Sequence, residues 1–111
     1  MELKIKTWLS DIHTSIDEIE SFLPEKKDFF GFKNDLKTRK AVERNIEIIG
    51  EAVNRISKQN PAIQIKNAKK IIGTRNRLAH EYDSISVEII WAIVINELPK
   101  LKIEVNNLLD S

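Results

Sequence analysis

The sequence predicts an all-α protein, a four- to five-helix up-and-down bundle, and three observations carry that expectation. Apolar residues recur at steps of three and four along four separate stretches, the signature of helices that turn one face to a core. Glycine and proline number only three each, too few for the many turns of a sandwich or barrel. The hydrophobic fraction is 41%, mostly isoleucine and leucine, against 32% charged residues, a balance that suits helices buried on one side and solvated on the other.

The first helix is marked by Ile5, Trp8, Leu9, Ile12, Ile16, Ile19, Phe22 and Leu23 on one face and ends before Pro24. Residues 25–34 hold a charge cluster, two adjacent phenylalanines and Gly31 with no clear period, and read as a connection. From Asp35, an N-cap candidate, Val42, Ile46, Ile49, Val53 and Ile56 define a long amphipathic helix. Arg39, Glu43, Arg44, Glu47, Glu51 and Arg55 lie on its other faces. It ends near residues 58–61, where Pro61 pushes Asn60 out of the helical region.

A third helix is expected from about Ile63, with Ala68, Ile71, Ile72, Leu78 and Ala79 as its apolar stripe and Arg75 in the middle of that stripe. After Asp83 and Ser84, Ser86 is an N-cap candidate for the most apolar segment. There Val87, Ile90, Trp91, Val94, Leu98, Leu101, Val105 and Leu108 trace one stripe. Ile89, Ile93 and Ile95 add apolar surface on other faces, so cover from both sides is expected, and a second protomer could supply it. Pro99 cannot complete a backbone bond to Ile95, so a kink or break is expected there, with Asn96 available to cap the next piece.

At 111 residues, with no linker rich in Gly, Ser or Pro, the chain reads as one domain over residues 1–111. A chain of this size hides roughly two thirds of its unfolded surface, which allows a core and leaves room for a partner chain. Cysteine is absent, which rules out a disulfide framework and a thiolate metal site. The N-terminal residues lack the apolar run of a signal peptide and no segment approaches about 18 apolar residues, so the expectation is a cytoplasmic protein with no membrane partner. With 18 basic and 17 acidic side chains the net charge is +1, so any RNA binding must use a local patch. A candidate patch is the run Lys66, Lys69, Lys70, Arg75 and Arg77, for which a solvated helix face is the plainer reading.

Arg75 is the first residue that asks for chemistry, because a guanidinium on a core-facing stripe must be paired or face a cleft. The plain reading is an ion pair with Glu51 or Glu47. His80 titrates near neutral pH without help. Five helical steps put it about 140° around from Arg75, so the two share a face only if the helix ends or distorts near Ala79, while Tyr82 returns to the Arg75 side. If these residues faced a cleft, arginine would clamp a phosphate, histidine would move a proton, and Asn76 and Tyr82 would hold the phosphate or base. That suffices for RNA cleavage by 2′-hydroxyl attack without a metal. A dimer carrying two copies of His80 across one groove would supply both an acid and a base. No Gly-rich phosphate loop or His-Glu-Xaa-Xaa-His motif is present, and His80, Glu81 and Asp83 are too close in sequence to converge readily on one ion, so neither a metal nor a cofactor is expected.

The stretch Arg75-Asn76-Arg77-Leu78-Ala79-His80-Glu81-Tyr82 resembles the arginine, four residues, histidine, any residue, tyrosine motif of the HepT-like toxins of the HEPN superfamily. Arg44-Asn45-Ile46-Glu47-Ile48-Ile49-Gly50-Glu51-Ala52 looks like that family's long second helix, and Ile90-Trp91 with Glu97-Leu98-Pro99 like its last section, so the resemblance covers about residues 40–101. It implies a HEPN-like helical bundle that forms a homodimer, with the motif lining the groove between protomers. It implies a metal-independent ribonuclease toxin of a toxin-antitoxin pair, with catalytic roles on Arg75 and His80 and Asn76 as polar neighbour. It further implies a MntA-type minimal nucleotidyltransferase antitoxin that silences the toxin by AMPylation of Tyr82. A bulky anion there would compete for the Arg75 phosphate site. Where many members carry a Pro-Trp pair before the third helix, this chain has Pro61-Ala62-Ile63. Two rival readings stand beside the toxin: a non-catalytic partner that presents substrate or Tyr82 to a nucleotidyltransferase, and a structural helical adaptor that uses neither His80 nor Tyr82.

Overall fold

A computed structural model describes residues 1–80 and 85–111. The described residues are helical with short connections and contain no strand, as the apolar periodicity requires.

Helix α1 runs Leu3–Phe22 and buries Ile5, Leu9, Ile12, Ile16 and Ile19 to 2% exposure or less. Each such side chain contributes about 2 kcal/mol of transfer free energy. Helix α3, Leu36–Gln59, is the central element and buries Val42, Ile46, Ile49, Val53 and Ile56. Asp35 caps it as expected, its carboxylate accepting from the Thr38 backbone N–H at 3.1 Å and from the Thr38 hydroxyl at 2.6 Å. These two hydrogen bonds hold the Asp35 carboxyl below its ordinary value. Helix α1 and helix α4, Ala68–His80, both pack on α3, and α1 packs again on the last helix.

Three expectations are corrected. The connection at residues 25–34 contains a short helix α2, Phe29–Asn34, started by Asp28, whose side chain accepts from the Phe30 N–H. Its aromatic residues, aperiodic in sequence, pack across the fold, with Phe29 and Phe32 ring centroids 6.0 and 5.0 Å from Trp91.

The third helix begins at Ala68 rather than near Ile63. Asn60 holds residues 60–63 in a turn, its side chain accepting from the Ala62 N–H at 3.1 Å and its carbonyl from the Ile63 N–H at 3.0 Å. Buried Ile65 anchors the segment, and Asn67 enters α4 at φ 62°, a left-handed conformation that asparagine tolerates.

At Pro99 the last helix is distorted, as expected, without being broken, but Asn96 does not cap the next piece. Helix α5, Val87–Ala92, capped by Ser86, continues through a π-helical turn, Ile93–Glu97, into helix α6, Leu98–Asp110. The Leu98 N–H donates to the Ile93 carbonyl, five residues back, and Pro99 follows in the first turn of α6. The wider turn absorbs the proline that a regular α-helix would reject. Asn96 lies inside this turn, and the residue before α6 is Glu97, which makes no side-chain cap. Glu97 instead binds the start of α4, accepting from Lys70 Nζ at 3.2 Å and from Asn67 Nδ2 at 2.8 Å. The Lys70 bond, with help from Asn67, keeps its carboxyl below the ordinary range.

The buried side chains form one cluster, and the molecule measures 41 × 30 × 19 Å. Its thin dimension is about two helix diameters, and α3 meets solvent in a groove between α1 and α4.

Candidate active site

Helix α4 presents the candidate residues. Ile71, Thr74 and Leu78 bury its inner face, with the Thr74 hydroxyl donating to the Lys70 carbonyl at 2.9 Å. Arg75 therefore sits at the margin of the interface with α3, its side chain 26% exposed.

What lets it lie there is Gly50. A Cβ at that position would stand 2.3 Å from Arg75 Cβ, 2.9 Å from Arg75 Cγ and 3.2 Å from the Ile71 carbonyl oxygen. The Arg75 stem thus crosses directly over the backbone of α3. Its Nη2 donates to Glu51 Oε2, and Nη1 donates to Asn76 Oδ1 at 2.6 Å. Of the two acidic partners weighed from sequence, Glu51 is the one used. The other Glu51 oxygen accepts from Arg55 Nε at 3.1 Å, and one turn earlier Arg44 pairs with Glu47 at 3.2 Å.

These groups surround a groove of about 390 Å³ over α3. Trp8 and Asp11 of α1 form one wall, Arg75 and Ala79 of α4 form the other, and Glu47, Ile48, Glu51 and Ala52 lie between, with Arg44 and Arg55 at the two ends. A groove carrying three guanidiniums beside a half-buried indole can clamp a phosphate and stack a planar base.

The structure brings Arg75 and Asn76 together in or beside this groove and leaves His80 out of it. Helix α4 stays helical to its final residue, His80, which is exposed on another face and does not line the groove. The angular divergence between Arg75 and His80 is therefore real within one chain. Tyr82, with Glu81 and Asp83, lies outside the described residues.

The basic run is divided. Lys69 and Lys70 border a separate cavity of about 740 Å³ at the start of α4, and Lys70 is engaged by Glu97, so these lysines do not extend the Arg75 groove. Among the described residues no group of three or more His, Asp or Glu side chains is placed to hold a metal. Sequence reasoning missed Gly50, and it placed Trp8 on the core stripe although the indole also faces the groove. A glycine in mid-helix was the available signal for the first; for the second there was none.

The family model for ribonuclease HepT-like proteins matches residues 12–108. A protein of Methanocaldococcus jannaschii named "Putative RNase" is 36% identical over 99 residues, covering 86% of this chain and 78% of its own. A second protein so named from the same organism is 36% identical over 103 residues, covering 91% and 93%. The "Probable ribonuclease HepT" of Thermococcus cleftensis is 35% identical over 106 residues, covering 92% and 93%. No solved structure matches.

Proposed function

The chain belongs to the ribonuclease HepT-like family, and from that premise we propose that it is a metal-independent endoribonuclease, the toxin of a toxin-antitoxin pair. The observation that carries this reading is the Arg75 guanidinium, oriented between Glu51 and Asn76 and opening on a groove of single-nucleotide scale. Arg75 binds the scissile phosphate and stabilises the charge that builds on it as the 2′-oxygen attacks. The 2′-oxygen to phosphorus bond forms and the bond from phosphorus to the 5′-oxygen breaks. A neutral His80 takes the proton of the 2′-hydroxyl and, protonated by it, gives a proton to the departing 5′-oxygen, leaving a cyclic phosphate and a 5′-hydroxyl.

Because His80 lies outside the Arg75 groove of its own chain, the reaction requires a homodimer that brings His80 of one protomer toward Arg75 of the other. The groove that leaves α3 open between α1 and α4 supports such an arrangement by giving a second chain access to Arg75. The antitoxin is a MntA-type nucleotidyltransferase that transfers AMP to Tyr82, an assignment that rests on the sequence motif. No described helix is long and apolar enough to cross a membrane, and the proposed location is the cytoplasm.

The test is RNA cleavage by the unmodified protein in EDTA, beside His80→Ala and Tyr82→Phe. Cleavage leaving cyclic phosphate ends and lost in His80→Ala is expected. Intact RNA in every lane would instead favour the non-catalytic partner of a nucleotidyltransferase, a reading favoured by one observation: Glu51 already occupies Arg75. Incubation with such a nucleotidyltransferase and ATP is then expected to add the mass of one AMP to the wild type and none to Tyr82→Phe.

A further inference from the structure

The α1 wall of the groove, Trp8 and Asp11, has no part in clamping the phosphate or moving the proton. We propose that it is a subsite for one unpaired nucleobase beside the phosphate on Arg75, selecting bases with an exocyclic amino group over uracil. This rests on the ribonuclease reading and names the substrate class that the site selects.

Three observations support it. Trp8 is half-buried against the core, so its indole is held in place while it lines the groove. An immobilised aromatic ring beside guanidiniums is the surface on which single-stranded bases stack. The groove, about 390 Å³, lies near the lower end of ligand-pocket sizes, which suits one nucleotide and excludes a duplex.

Asp11, one helical turn from Trp8 on the same wall, has no hydrogen-bond or ion-pair partner among the described residues. Its carboxylate can only accept, so it favours adenine, cytosine or guanine, whose exocyclic amino groups donate, over uracil, whose one edge donor, N3–H, lies between two carbonyl oxygens that repel the carboxylate. Arg44 and Arg55, with side chains 72% and 56% exposed, reach toward the phosphates on either side of that base. Their pairs with Glu47 and Glu51 are solvent-exposed and weak enough to exchange for phosphate.

The experiment is anisotropy titration of the full chain with 2′-O-methyl tetranucleotides, which lack the attacking hydroxyl and stay intact. Mixed sequences of A, C and G are expected to bind about tenfold more tightly than the all-uridine oligonucleotide, the scale of one base discriminated by its hydrogen-bonding edge. Trp8→Ala should lose about that factor for the mixed sequences, Trp8→Phe should keep most of it, and Asp11→Asn, at an exposed position, should erase the base preference. The proposal is overturned if Asp11→Asn leaves the preference unchanged, or if a folded Trp8→Ala binds as the wild type does. It is overturned equally if Trp8→Ala disperses a dimer while oligonucleotide binding persists, since the wall would then be a protein contact. Selective binding without any cleavage of natural RNA sinks the ribonuclease reading and leaves the subsite standing. Cleavage without base selectivity does the reverse.

Discussion

Two glycines on facing helices make the sharpest residue-scale comparison. At Gly50 an added Cβ collides with the Arg75 stem, whereas at Gly73 it meets nothing within 4 Å. Gly50→Ala is expected to cost about 1–3 kcal/mol through overpacking, while Gly73→Ala, a helix-interior change into open space, should gain about 0.5–1 kcal/mol. Thermal unfolding of the pair reads both signs. Because the strain in Gly50→Ala falls on Arg75, cleavage should fall with it. Arg75→Ala is expected to lower kcat about a hundredfold or more, as loss of one donor to a developing charge does elsewhere. Arg75 was legible in the sequence because a charge interrupted an apolar stripe, and Glu51 was one of two partners that helical spacing allowed. Gly50 was marked in the sequence only as a glycine in mid-helix, and its role was not legible, since its contribution is the absence of an atom from a contact between residues 25 positions apart.

At the scale of the element, the caps and the Glu97 tie give the predictions. The Ser86 hydroxyl accepts from the Ile89 N–H at 3.3 Å at the start of α5, and Ser86→Ala should cost about 1 kcal/mol in urea unfolding. The carboxyls of Asp35 and Glu97 both titrate below their ordinary values of 3.8 and 4.5. A lowered folded pKa means that the unfolded chain binds protons first, so the stability from these groups is complete above those values. It is lost as the pH falls through the lower folded ones. Unfolding measured from pH 6 to pH 2 should therefore show a smaller acid-side loss for Glu97→Gln than for the wild type. Periodicity located the long helices and both Asp35 and Ser86 as caps. It missed α2, whose six residues are too few to show a period, and placed the start of α4 early because Ile63 and Ile65 continue the apolar spacing through a turn set by Asn60 and Asn67.

For the whole molecule, the all-α class followed from composition and period, but the groove did not, because it arises only where α1 and α4 stand on either side of α3. The proposed division of the reaction between two protomers makes a specific prediction for mixtures. Arg75→Ala and His80→Ala proteins, each inactive alone, should recover cleavage when unfolded and refolded together, since one site of the mixed dimer then holds an intact Arg75 and an intact His80. No recovery would place both groups in one chain or require both copies of each.

The π-helical turn at Ile93–Glu97 bears on how the chain can change in length. It carries one residue more than an α-helical path, so the segments before and after it are phased about 100° from where an unbroken helix would set them. Deleting Asn96 would let the backbone relax into a regular helix, yet it would rotate Ile90 away from the direction it shares with Leu98, Leu101 and Val105. Substitution at this exposed residue leaves that phase untouched, whereas loss of a single codon there would turn half a helix out of the core. Insertions and deletions are expected to be tolerated instead in the exposed connection before α2.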